Sequence, residues 1–176
     1  MTGQRRDYLP PKDHLAAIGA TAVTWSAIES AMELTILGLY EIDAGRGLVL
    51  TSNLSFHARM SLLRILANEG AITDPQLAEE MKAIIPRLDA GFGERNTIVH
   101  GLWGPSPGHA PHIVRRMAIR ARGKKLTTDA HNYSARDLWR IADGLAVLMR
   151  DFSDLMDRLG INARLMLAPK HSTASR

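Results

Sequence analysis

The chain has 176 residues, of which 45% are hydrophobic, 23% charged and only 5% aromatic, and it contains no cysteine. This composition is ordinary for a globular protein and favours helices over sheets, while the lack of cysteine excludes disulfides, thiol catalysis and thiolate metal sites. The formal net charge of +4 does not by itself indicate a nucleic-acid partner, because solubility alone accounts for such a charge.

The first long apolar repeat runs from residue 15 to residue 39 and predicts a helix. Its apolar residues alternate three and four positions apart, which gives one packed face. Glu29 is the single charged residue on that face, so we expect it either at the edge of the face or buried with a partner. A break is predicted at residues 44–47, followed by a second helix whose N-cap lies among residues 51–53.

The third helix has a clear predicted start, with Asp74 as its N-cap and Pro75 at the first helical position. Pro86 lies inside the repeat, and proline both lacks an N–H and crowds the preceding turn. The sequence therefore predicts either one bent helix or two abutting helices, 75–90 and 92–102.

The last apolar repeat follows Ser134 and Asp137, which are spaced as a capping box, and it stops at Gly160. Four principal helices with short connections predict an all-α antiparallel helical bundle. We expect a single domain over residues 1–160 and a flexible C-terminal tail over residues 161–176.

Three polar side chains that can do chemistry, those of Arg95, Asn96 and His100, fall in the predicted last turns of the third helix. Asn96 and His100 are four residues apart and so share a helix face, which the long Arg95 side chain can reach. An imidazole can move a proton near neutral pH, and a guanidinium can grip phosphate oxygens at two points. These groups suit RNA cleavage without a metal. The alternative is that His100 and Asn96 cap neighbouring backbone and that Arg95 pairs with Glu29.

The pattern Arg-Asn-x-x-x-His from Arg95 to His100, followed by Gly-Leu-Trp, resembles the signature of HEPN domains. The resemblance implies a helical, usually dimeric fold and a metal-independent ribonuclease that needs no cofactor. It implies that Arg95 and His100 of each subunit are catalytic and that Glu29 on the first helix faces the motif. The amide of Asn96 can orient His100 or bind the phosphate. Similar proteins often serve as toxins or in phage defence, so RNA, an antitoxin and other partner proteins are the expected partners.

Residues 112–131 change to an alternating pattern and predict a basic β-hairpin with its turn at Gly123, inserted before the last helix. We expect the hairpin to follow an RNA backbone through its basic side chains. The residues predicted to share one face are His112, Val114, Arg116, Ala118, Arg120 and Arg122. The alternative is a solvated edge that resists aggregation. The basic residues are Arg115, Arg116, Arg120, Arg122, Lys124 and Lys125.

The remaining patterns predict fewer functions. No aromatic platform adjoins the hairpin, and the tryptophans are interpreted as core or interface anchors. His109 and His112 lack a nearby carboxylate or cysteine and predict no metal site. No apolar leader or uninterrupted apolar run of about 18 residues is seen, so we expect a cytoplasmic protein without membrane association.

Two other functions also fit: a non-catalytic bundle that binds RNA or a partner protein, and a nucleotide-binding helper of a partner protein.

Overall fold

The structure, a computed structural model, describes residues 9–110, 112–122 and 125–161. This part of the chain is mostly helical and carries a small antiparallel sheet, which confirms the predicted helical fold with an inserted hairpin. The predicted turn at Gly123 and the tail from residue 162 onward lie outside the described residues. In chain order the elements are α1 (Lys12–Leu39), α2 (Ala44–Thr51), α3 (Phe56–Asn68), α4 (Pro75–Val99), β1 (Leu102–Pro105), β2 (Ile113–Arg122), β3 (Lys125–Ser134) and α5 (Ala135–Arg158).

The chain divides into two compact units. Among the described residues, the first comprises those of 9–25 and 90–147, and the second comprises those of 26–89 and 148–161. Helices α1, α4 and α5 each supply residues to both units. The end of α4 and the whole sheet belong to the first unit.

Helix α1 begins three residues earlier than predicted and buries a slightly different face. Leu15, which was expected on the packed face, is 40% exposed, whereas His14 and Ala17 are buried. The buried Thr21 and Thr35 hydroxyls donate to backbone carbonyls four residues earlier, which removes the cost of burying them. Helix α1 is long and apolar enough to cross a membrane. Core helices of soluble proteins share this length and composition, so the property is weak evidence.

The predicted break at residues 44–47 is wrong, because these residues form the first turn of α2. Gly47 is needed for close packing within the second unit: a Cβ there would lie 2.3 Å from Cδ2 of Leu37. The predicted N-cap among residues 51–53 is also displaced. Ser55 caps α3, and its side chain accepts a hydrogen bond from the Ala58 N–H at 3.2 Å.

Helix α4 is continuous from Pro75 to Val99, although it contains Pro86. The Asp74 carboxylate accepts backbone N–H bonds from Gln76 and Leu77 at 2.8 and 3.3 Å, which confirms the predicted N-cap. The helix ends one residue before His100.

The sheet has the order β1-β2-β3, and both pairs are antiparallel. Strand β1 was missed, and its first residue, Leu102, was predicted as the end of the third helix. On one face of β2 Val114 and Arg116 are buried, and the neighbouring Trp103 and Tyr133 pack against a core of Ala17, Ile98 and Leu138. On the other face Leu102 and Met117 lie opposite each other and are both exposed.

Helix α5 starts directly after β3, and its predicted capping box is confirmed. The Ser134 N–H donates to Oδ2 of Asp137 at 3.0 Å, and the Asp137 N–H donates to Oγ of Ser134 at 3.2 Å. The hydrogen bonds from Ser134 lower the pKa of Asp137. Gly160 has a φ of 68°, a value that suits glycine after a helix end. The next residue, Ile161, is fully buried, so packed structure extends into the start of the predicted tail.

Candidate functional site

The side chains of the predicted motif meet just beyond the C-terminus of α4. Nη1 of Arg95 donates to Oδ1 of Asn96 at 2.9 Å and lies 2.7 Å from Nε2 of His100. A guanidinium has donors and no acceptor, so Nε2 must supply the lone pair and the ring proton must sit on Nδ1. The backbone supports this geometry, because the His100 N–H donates to the Asn96 carbonyl at 3.2 Å.

The three side chains differ in their access to solvent. His100 is exposed, while Arg95 and Asn96 are half-buried. Nε of Arg95 is fully buried and has no hydrogen-bond partner in the described part of the chain. Arg95 therefore lies behind His100 and holds it from the protein side.

A surface cleft of about 410 Å³ opens beside the motif. It joins the end of α4 to the inner face of β2, so the motif and the hairpin contribute to one site. Asn96 and His100 line the cleft directly, whereas Arg95 reaches it through them. The lining residues are Phe92, Gly93, Asn96, Thr97, His100, Gly101, Arg116 and Ala118.

Arg116 is the cation that the sheet brings to this cleft. It is 2% exposed, and its Nη2 donates to Oδ2 of Asp129 at 2.8 Å. That hydrogen bond, together with the nearby His131, holds the pKa of the Asp129 carboxyl below its ordinary value. Nε of Arg116 is buried and has no partner among the described residues.

Gly101 is required where the Arg116 side chain crosses the motif. A Cβ at this position would lie 2.3 Å from Cγ and 2.8 Å from Cδ of Arg116, and 3.1 Å from the Thr97 carbonyl oxygen. Real Cβ atoms do not approach other atoms so closely, so any side chain here would displace Arg116. The absence of a side chain at Gly101 thus leaves room for the Arg116 side chain.

Of the basic side chains predicted to follow an RNA backbone, the structure describes those of Arg115 and Arg116. Arg116 belongs to the face that packs against the protein, whereas Arg115 on the opposite face is half-buried and donates through Nε to Oδ1 of Asn132 at 3.2 Å. The side chains of Arg120, Arg122 and Lys125, and Lys124 as a whole, lie outside the described residues.

A second polar cluster, which sequence reasoning missed, holds the loop between β1 and β2. Ser106 is buried, and its hydroxyl donates to Oδ1 of Asn132 at 2.9 Å and lies 3.1 Å from Nδ1 of His109. The other ring nitrogen of His109 lies 3.3 Å from the Asn132 amide nitrogen. These residues are up to 26 positions apart in the chain, so no local spacing could have revealed the cluster.

Glu29 lies in the second unit, where it forms an ion pair with Arg59 at 3.9 Å. Glu33, one turn further along α1, contacts the same guanidinium more closely. The Glu29 side chain is 32% exposed. It therefore lies at the edge of its helix face and has a partner, which combines the two predicted alternatives.

Two of the tryptophans are packing anchors, as predicted. Trp25 is buried, and its ring centroid lies 5.9 Å from that of Phe92. Nε1 of Trp103 donates to the Ile98 carbonyl at 3.0 Å, which satisfies one of the free carbonyls at the end of α4. Trp103 thereby fixes the backbone just before His100.

Within the described part of the chain, no three His, Asp or Glu side chains come together in an arrangement that could hold a metal ion. No protein-family model, curated protein or solved structure matches this chain. The resemblance to HEPN domains therefore rests on the segment from Arg95 to Trp103.

Proposed function

We propose that the protein is a metal-independent endoribonuclease of HEPN type, built as an antiparallel helical bundle and active as a homodimer. The observation that supports this most directly is the 2.7 Å contact between Nη1 of Arg95 and Nε2 of His100 at the edge of an open cleft. It joins a proton acceptor to a permanent cation, the pair that phosphodiester cleavage requires.

The first step in this mechanism is the release of His100 from Arg95. An Arg95 N–H bonds more strongly to an anionic phosphate oxygen than to a neutral imidazole. A bound phosphate therefore takes over the guanidinium and frees Nε2 of His100. That nitrogen removes the proton of the 2′-OH as the 2′-oxygen bonds to phosphorus. The bond to the 5′-oxygen breaks, that oxygen leaves with a proton, and the products are a 2′,3′-cyclic phosphate and a 5′-hydroxyl.

Negative charge grows on the phosphate oxygens during this step, and three groups at or behind the cleft can stabilise it. Arg95 supplies the direct hydrogen bonds. Oδ1 of Asn96 accepts from Arg95, which leaves the Asn96 amide N–H groups available for the phosphate. Arg116 adds a buried cation behind the cleft, although its charge is shared with Asp129.

The proposed dimer supplies the second proton transfer. A single His100 that has just accepted a proton is poorly placed to protonate the leaving oxygen on the far side of the phosphorus. The resemblance implies that two motifs face each other across a dimer interface, so the partner subunit's His100 would act as the acid. A cytoplasmic toxin or phage-defence enzyme with an antitoxin or other partner protein fits this activity.

The alternative is a non-catalytic helical bundle that binds RNA or a partner protein. One observation favours it: Nη1 of Arg95 already contacts both Asn96 and His100, as it would in a purely structural cluster. The two functions differ in whether His100 is needed for turnover.

The test is cleavage of a mixed-sequence RNA in EDTA by the wild type, His100→Ala and the control His57→Ala, which removes an exposed histidine of α3. We expect equal cleavage by the wild type and His57→Ala, with cyclic-phosphate ends, and loss of cleavage in His100→Ala. An inert wild type that binds RNA as tightly as His100→Ala would replace the proposal by the non-catalytic alternative.

A further inference from the structure

The third tryptophan, Trp139 on α5, is the most exposed of the three. It is 40% exposed. A single exposed apolar residue needs no explanation. Trp139, however, lies among charged side chains in a surface groove.

Trp139 lines a surface groove of about 550 Å³. The groove runs along one face of the first turns of α5, because its residues are spaced three and four apart. The other lining residues are Arg136, Asp137, Arg140 and Asp143.

The groove is lined by two arginines and two aspartates, and one of the aspartates already has other partners. Asp137 is bound to the N–H and hydroxyl of Ser134 and so serves the helix start. Arg140 lies 3.7 Å from Asp137, but its side chain is 80% exposed, and such pairs contribute little. Arg140 can therefore turn toward a ligand, and Arg136 is also exposed. Asp143 lies one turn beyond the indole.

We propose that this groove is a base-stacking subsite for single-stranded RNA. One base stacks on the indole of Trp139, and the adjoining phosphates contact Arg136 and Arg140. Stacking on an aromatic ring beside arginines is how proteins hold single strands without reading their sequence. The ligand class rests on the proposed function, and the subsite extends the grip on RNA beyond the phosphodiester that is cleaved.

A protein partner fits the groove less well. Stable protein interfaces bury roughly 1,200–2,000 Å² around a hydrophobic core. Here Trp139 is the one large apolar side chain among five lining residues, and the other four are charged. A base can stack on the Trp139 ring, and its phosphates can contact the guanidinium groups of Arg136 and Arg140.

The experiment uses the full chain with His100→Ala, so that bound RNA is not cleaved, and titrates it with a mixed-sequence 12-nucleotide RNA. Tryptophan fluorescence and a labelled RNA give two independent readings of binding. Trp139→Leu removes the stacking ring, Trp139→Phe keeps one, and Arg64→Gln on α3 controls for the loss of an exposed arginine. Melting curves confirm that every variant is folded, and light scattering gives its mass.

We expect RNA to quench the fluorescence of the parent. Trp139→Leu should lose most of this quenching and bind about 10-fold more weakly, whereas Trp139→Phe should stay within about 3-fold of the parent. Arg136→Gln with Arg140→Gln should lower the slope of log affinity against log salt by about 1.4, since each phosphate contact on a single strand contributes about 0.7. Arg64→Gln should leave that slope unchanged.

Equal RNA affinity of Trp139→Leu and the parent overturns the subsite, as does a parent that does not bind RNA. A change in oligomeric mass without a change in RNA affinity also overturns it and assigns the groove to a protein interface. Cleavage by the wild type is measured separately. Binding that depends on Trp139 without cleavage would retain the subsite and reject the nuclease, and cleavage without an effect of Trp139 would do the reverse.

Discussion

The two basic regions of the first unit, the end of α4 and strand β2, differ in how their cations are held. Arg95 donates to Asn96 and His100, which lie within five residues of it in the chain. Arg116 is buried, pairs with Asp129 from the neighbouring strand and lies against Gly101. Contacts inside a helix follow from residue spacing, whereas the buried face of a strand is decided by what packs against it.

The strongest test of this difference is Gly101→Ala, because the chain that follows α4 lies against the Arg116 side chain at Gly101. The new Cβ would clash with Cγ and Cδ of Arg116 and should cost roughly 1–3 kcal/mol of unfolding free energy. Gly93→Ala is the matched control, since a Cβ there meets nothing within 4 Å. That change should be neutral or stabilise the helix by up to about 1 kcal/mol. Urea unfolding measures the free energy of unfolding of both variants. Equal values would show that the Arg116 side chain does not pack against Gly101.

Neighbouring arginines on opposite faces of β2 sharpen the comparison further. Arg116→Met should lower the free energy of unfolding by roughly 1–2 kcal/mol, because the lost guanidinium is buried and paired. Arg115→Met removes a half-buried side chain and should cost about 0.5 kcal/mol. Urea midpoints give the order, and a larger loss for Arg115→Met would mean that the two faces of the strand are reversed.

The return from the hairpin to α5 offers a smaller test. Ser134→Ala removes the hydroxyl that accepts the Asp137 N–H and donates to the Asp137 carboxylate. Loss of such a cap costs about 1 kcal/mol, and we expect that decrease in urea unfolding at pH 7. An unchanged midpoint would show that the sheet alone fixes the start of α5.

The smallest expected effect is a pH dependence from the Arg116–Asp129 pair. The pKa of Asp129 is lowered in the folded protein, mainly by its hydrogen bond from Arg116. The carboxylate therefore stabilises the fold above its unfolded pKa, and this contribution is lost as the pH falls through its folded pKa. Asp129→Asn should flatten the acid limb of the urea midpoint, while the exposed Asp89→Asn should leave it unchanged. An acid limb that Asp129→Asn does not alter would show that the pair does not contribute.

Much of the helical framework could be predicted, because its signals are local. The start of α4 at Asp74 and the capping box of Ser134 and Asp137 depend on residues two or three apart, and both are confirmed. The contact between Arg95 and His100 is also local, because the two residues are five positions apart in the chain.

The errors concern residues whose roles depend on distant partners. Gly47 reads as a helix breaker, yet it is a packing position against Leu37. Strand β1 is only four residues long and exists by pairing with β2. Trp139 was predicted as a core or interface anchor, and its 40% exposure excludes only the core. Nothing in the local sequence distinguishes these cases.

The most direct test of the central claim, that Arg95 and His100 act as one catalytic unit, is a double-mutant cycle on kcat/KM for RNA cleavage. Arg95→Ala and His100→Ala should each lower kcat/KM by about 1,000-fold, and the double variant should be no more than about 3-fold worse than the poorer single variant. Losses that multiply in the double variant would contradict the account, because the two side chains would then contribute independently.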